Sequence, residues 1–201
     1  MSHPIRTTDA IVIDIETEGE ANIVAHCLTR DLGRIYLHVQ AAKKMESKHR
    51  SMFFPLASIT IDCVEGKSII RCTGVTERER VYQDIRNLSV VRRNFLQNIF
   101  SMVHRLVPTH IPVDEVFTTY EIFYRLCLDQ SFSDSDLAIL CLIAQLRILG
   151  ILGYWNSDWT DEVLHTTGKT FEYVSQNKRS VEKLIERILV DTQMVIKGFQ
   201  E

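Results

Sequence analysis

Gly33-Arg34-Ile35-Tyr36-Leu37-His38-Val39-Gln40 alternates apolar and polar residues at period two. That spacing turns successive side chains to opposite faces of a β-strand. Ile35, Leu37 and Val39 fall on one face; Arg34, Tyr36, His38 and Gln40 fall on the other. A greasy row backed by a cationic and aromatic row describes a strand that seals a core on one side and meets solvent or a ligand on the other. The same period extends outward in both directions. It predicts strands over about Asp9 to Ile15, Ala21 to Thr29, Gly33 to Ala42, Phe54 to Val64 and Ser68 to Val75, with turns at Gly19, Asp31-Leu32-Gly33 and Glu65-Gly66-Lys67. Five antiparallel strands in so short a stretch suit a closed barrel, because closure removes exposed strand edges. The OB-fold is the common five-stranded solution and a small SH3-like barrel is its rival.

Beyond the charged run Thr76-Glu77-Arg78-Glu79-Arg80 the period becomes helical. Helices are predicted over about Val90 to Leu106, Val113 to Leu128, Asp134 to Leu149 and Ser180 to Lys197. Ser133 followed by Asp136 reads as a capping box for the third of these, and Gly150 stands where its C-terminal cap is expected. That helix is apolar all round, which predicts the buried centre of a second domain. The last is amphipathic, with Val181, Leu184, Ile185 and Ile188 on one face. The expected class is therefore α+β, with an OB-fold domain over residues 1–78 and a helical domain over residues 79–201.

The chain has 201 residues, 45% of them hydrophobic and 24% charged, which argues for packed globular domains over disorder or coiled coil. With 23 Lys plus Arg against 26 Asp plus Glu, the formal net charge is -3, so any cationic surface is local. The longest apolar stretch, Leu137 to Leu152, is broken by Gln145 and Arg147 and is too short to span a bilayer. The first residues lack the apolar core of a signal peptide, so the chain is expected in a reducing cytoplasm. Cys27, Cys63, Cys72, Cys127 and Cys141 are widely spaced and form no C-x-x-C, so they are expected as buried small hydrophobes.

Charge is segregated within the first domain. From His26 to Arg50 there are six cations and two anions. Arg30, Arg34, Lys43, Lys44, Lys48 and Arg50, with Tyr36 and His38, are the candidate contacts to nucleic acid. Cations neutralise phosphates and release counterions, while flat rings stack on unpaired bases. The plainer reading is a solvated strand face that carries a tyrosine. A competing signal lies earlier: Val12-Ile13-Asp14-Ile15-Glu16-Thr17-Glu18-Gly19 resembles the first motif of the DnaQ-like (DEDD) 3'-5' exonucleases, in which an Asp and a Glu two residues apart bind divalent metal. Two-metal hydrolysis needs further carboxylates converging on the same ions, and His110 and Asp114 do not match the family's later spacing. Asp14, Glu16, Glu18 and Glu20 are therefore read as the acidic outward face of the first strand and its loop. There is no G-x-G-x-x-G, P-loop, H-E-x-x-H or G-x-S-x-G. Trp155 and Trp159 read as plugs at a domain junction or as the wall of a peptide groove.

Several short pieces occur in a telling order: Thr8 with Ala10-Ile11-Val12, Gly19-Glu20-Ala21, Leu28-Thr29 followed by Gly33-Arg34, the basic Ala42-Lys43-Lys44, Ser47-Lys48-x-Arg50, Pro55, and Leu146 to Tyr154 ending in Leu-Gly-Tyr. This order resembles the bacterial recombination mediator RecO family. The resemblance implies a non-catalytic protein that binds single- and double-stranded DNA, anneals strands and works with RecR and the C-terminal tail of single-stranded-DNA-binding protein (SSB) to load recombinase. It places phosphate contacts on Arg34, Lys43, Lys44, Lys48 and Arg50. Where the family commonly has Lys-Gly after the third strand, this chain has Ala41-Ala42. The four-cysteine zinc site that many members carry after Leu-Gly-Tyr has no counterpart, since no cysteine follows Cys141; neither a metal nor a cofactor is expected. A protein-interaction adaptor that has lost DNA binding is the further alternative.

Overall fold

The computed structural model describes residues 4–44, 51–67, 69–77, 85, 87–154 and 167–198. Strands β1 (Ile5–Glu18), β2 (Asn22–Thr29), β3 (Gly33–Val39), β4 (Ser58–Glu65) and β5 (Ile70–Glu77) close into a barrel in the order β1-β2-β3-β5-β4. This is the OB-fold barrel. Every neighbouring pair is antiparallel except β3 and β5, which run parallel through Leu37 opposite Ile70 and His38 opposite Arg71.

Period two builds the core as expected. Ile35, Leu37 and Val39 of β3 point inward with Ala25 and Cys27 of β2 and Ile59, Ile61 and Cys63 of β4, each buried to 1% exposure or less. β1 serves two partners, β4 with its first half and β2 with its second. The register against β2 shifts between Val12 and Asp14. Such a bulge bends a strand, and here it lets one strand turn the corner of the barrel. β4 begins at Ser58, later than the expected Phe54. The residues before it fold back as a loop: Leu56 takes φ 76, its N–H donates to the Val12 carbonyl at 2.8 Å, and Phe53, Leu56 and Ala57 are buried.

The chain divides into two compact units, Met1–Leu88 with Val107–Thr118, and Ser89–Leu106 with Thr119–Glu201. The expected boundary between residues 78 and 79 lies outside the described residues. In the first unit, residues 107–118 lie along the start of β3. His110 N–H donates to the Arg34 carbonyl at 3.0 Å, and Arg34 pairs with Thr109 in an isolated parallel bridge. Gly33 has φ 68, and a Cβ there would collide with the Ile111 carbonyl, so both backbone conformation and space require glycine.

The helices described are α1 (Val90–Leu106), α2 (Asp114–Leu128), α3 (Asp134–Ile151), α4 (Thr167–Gln176) and α5 (Lys178–Gly198). Asp114 to Thr118 of α2 group with the barrel unit and the rest of α2 with the second. In the second unit α3 is the central helix, packing against α1, α4 and α5. Its capping box forms: Ser133 Oγ accepts from Asp136 N at 3.1 Å, and Asp136 Oδ2 accepts from Ser133 N at 3.3 Å. Its end corrects the expectation for Gly150, which remains inside the helix. The left-handed residue is Gly153, φ 75, and the N–H groups of Gly153 and Tyr154 donate to the carbonyls of Gly150 and Leu149, the double bond pattern of a Schellman motif. Gly150 instead supplies one of the accepting carbonyls.

Arg92 ties this unit together. It is 6% exposed, and its guanidinium donates to the carbonyls of Cys127 at 2.9 Å, Asp129 at 2.8 Å and Phe132 at 2.5 Å and to Asp134 Oδ1 at 3.2 Å. A cation placed there satisfies carbonyls at the end of α2 and in the turn to α3, where helix-end oxygens lack partners.

Candidate nucleic-acid interface

The outward side chains of β3 are Arg34, Tyr36 and His38, as the alternation predicts. Register sets their neighbours. On β2, Leu28 lies opposite Arg34, His26 opposite Tyr36 and Val24 opposite His38; on β5, Arg71 lies opposite His38. Tyr36 is 39% exposed, and its ring meets His26 edge-on with centroids 4.6 Å apart at 87°. The tyrosine therefore stands as a ring held in place by a buried neighbour with part of its surface in solvent.

The structure divides the eight residues expected to meet nucleic acid. Arg30 is engaged by its own unit: its guanidinium lies 4.6 Å from the Phe117 ring centroid, 2.9 Å from Asp114 Oδ1 and 3.8 Å from Asp9 Oδ2. Arg34 donates through Nε to the Val107 carbonyl at 3.1 Å and reaches to 5.8 Å from the Tyr36 ring centroid. His38 Nδ1 lies 3.1 Å from Glu18 Oε1. Lys43 is half-buried and Lys44 exposed in the turn that follows β3, where Lys43 N–H donates to the Ala21 carbonyl at 3.0 Å and Lys44 N–H to the Ala41 carbonyl at 3.1 Å. Lys48 and Arg50 lie outside the described residues, as do Trp155 and Trp159.

One cation beyond those expected from the sequence stands beside this face, and a second lies in the turn that leads into β5. Arg71 on β5 is exposed, directly opposite His38, and makes no ion pair among the described residues; Lys67 is exposed in the β4–β5 turn. Neither was legible, because the parallel pairing of β3 with β5 joins residues more than thirty positions apart. A basic residue in an alternating strand was the one local signal.

Acidic side chains bound the face on its other side. Glu16 Oε1 lies 3.1 Å from His26 Nε2, and the side chain of Glu16 is largely exposed. Asp14 accepts the Ile15 N–H at 2.8 Å. The outer wall is thus split, with carboxylates along β1, rings in the middle on β2 and β3, and Arg71 and Lys67 toward β5. A phosphate chain is repelled by the first strip and attracted by the last. The carboxylate pair Asp14 and Glu16 sits on a closed barrel, and among the described residues no group of three or more His, Cys, Asp or Glu is arranged to hold a metal ion. Among those residues, no helix is long and apolar enough to cross a membrane. No protein-family model matches the chain, and neither does any curated protein.

Proposed function

We propose that this chain is a non-catalytic nucleic-acid-binding protein of the recombination-mediator kind, acting in DNA repair in the cytoplasm. The observation that carries the reading is the register of β3 and β5 on the outside of an OB barrel, which brings Tyr36, His38 and Arg71 onto one wall. Lys43 and Lys44 follow β3 at its end. A single strand laid along β3 and β5 would set phosphates against the cations and a base against the Tyr36 ring. Double-stranded DNA, RecR and the SSB tail are the further partners of this reading, and strand annealing to help load recombinase is its activity.

The deciding experiment is a titration of labelled single-stranded DNA against salt, with the natural chain and with a Lys43→Ala, Lys44→Ala, Arg71→Ala variant. Each cation withdrawn from a phosphate should lower the slope of log affinity on log salt by about 0.7. Equal affinity and slope would refute the interface. One observation favours a second reading, a protein-interaction adaptor: Arg30 and Arg34 are engaged within their own unit and Glu16 and Glu18 border the rings. No DNA shift at low salt, with RecR or SSB still bound, would select it.

A further inference from the structure

Cys63 and Cys72 stand directly opposite one another on β4 and β5. Residues so placed on antiparallel strands have Cα atoms about 4.5 to 5.5 Å apart and side chains on the same face. A disulfide accepts Cα separations of about 4.4 to 6.8 Å, a range that includes this spacing. The ladder shifts beside them, with Asp62 opposite Gly74 and Cys63 opposite Cys72, which leaves Thr73 unmatched. A bulge at that point gives the backbone slack for the small rotation that two thiols need to meet.

Access differs between the two thiols: Cys63 is 1% exposed and Cys72 is half-buried, so Cys72 is the one a small solute meets first. Cys63 borders a cleft of about 100 Å³ with Arg6, Glu65, Ile70 and His110. Burial holds its thiol above the ordinary range, and the nearby Arg6 guanidinium pulls against that by favouring the thiolate. Cys72 is half-buried, and its Sγ donates to the Gly74 carbonyl at 3.3 Å.

We propose that Cys63 and Cys72 form a reversible redox pair that closes to a cross-strand disulfide when the protein meets hydrogen peroxide or a small organic peroxide. The Cys72 thiolate attacks one peroxide oxygen, the O–O bond breaks, and Cys72 becomes a sulfenic acid while hydroxide, or alkoxide from an organic peroxide, leaves. The Cys63 sulfur then attacks the Cys72 sulfur, the S–O bond breaks, and hydroxide departs. Each departing anion takes up a thiol proton, so two thiols and one peroxide give one disulfide and two waters for hydrogen peroxide, or one water and one alcohol for an organic peroxide. A dithiol reverses the bridge by exchange. The closed loop contains Glu65-Gly66-Lys67 and Arg71, so the bridge pins the hairpin that carries Lys67 and Arg71. The pairing itself is independent of what that face binds.

The test uses the whole folded chain. After exposure to hydrogen peroxide, remaining thiols are alkylated and the protein is digested with trypsin without reductant; Lys67 and Arg71 provide cuts between the two cysteines. The expected product is a linked pair of peptides carrying Cys63 and Cys72, separated by dithiothreitol. A Cys63→Ser variant should stop at the first step and yield a dimedone adduct on Cys72. Alkylation of both thiols after peroxide, a bridge from either to Cys27, or links only between chains would overturn the proposal. The peptide map of the natural chain decides the matter even where the variant fails to fold.

Discussion

Arg92 and Arg71 carry the same guanidinium and meet opposite surroundings. Arg92 sits inside the helical unit with three carbonyls and a carboxylate on its donors, whereas Arg71 stands on the barrel wall with no ion pair among the described residues. The difference teaches where a cation acts on folding and where it acts on a ligand. Surrounded by oxygens in a dry site, a guanidinium is part of the architecture, and removing it leaves acceptors stranded. Facing water, it contributes little to stability and remains open to phosphate.

Substitution at Arg92 sets the scale. Arg92→Ala should lower the unfolding free energy by about 3 kcal/mol or more, since it strands the Cys127 carbonyl in the interior and leaves Asp134 without its partner. Urea denaturation followed by helical circular dichroism measures this, and a loss under about 1 kcal/mol would break the contrast.

Alkali probes the two units next. Burial pushes the thiols of Cys127 and Cys141 up to about 12, and that of Cys72 in the barrel to about 11. An unfolded thiol titrates near 8.5. The folded protein therefore keeps protons that the unfolded chain releases. The stabilisation is complete below about pH 8.5 and is lost as pH rises through the folded values. For Cys127 and Cys141 the loss is about 1.4 kcal/mol per thiol per pH unit above that point. Urea midpoints taken from about pH 8 upward should fall, with a shallower fall in a Cys141→Ala background; a flat profile would show that these thiols are not shielded.

The smallest effect is expected at Arg71 itself. Arg71→Ala should change stability by no more than about 0.5 kcal/mol. A larger loss would mean that Arg71 belongs with Arg92 as a structural cation.

Legibility followed the range of the interactions. β3 was readable because Arg34 to Gln40 alternate cleanly, and α1 because apolar residues recur at helical spacing between Val90 and Leu106. The capping box was readable because Ser133 and Asp136 are neighbours on one turn. α4 escaped notice, since Thr-Gly-Lys-Thr-Phe-Glu-Tyr-Val-Ser-Gln holds few apolar residues and a glycine near its start. The engagement of Arg34 by the Val107 carbonyl, and of Arg30 by Asp114, spans more than seventy residues, so a basic strand looked more available than it is. Arg71 was hidden for the converse reason, since closure of the barrel brings it beside a strand far away in the chain.

That closure rests on a narrow fastening. Among the described residues β3 and β5 meet through two residue pairs, while the antiparallel neighbours of the barrel meet through seven or more. Thermal opening of the sheet starts where fewest rungs hold it. Anything that grips Tyr36 on one side and Arg71 on the other straddles this gap like a stitch, so an occupant of the wall would also darn the weakest line of the cylinder beneath it.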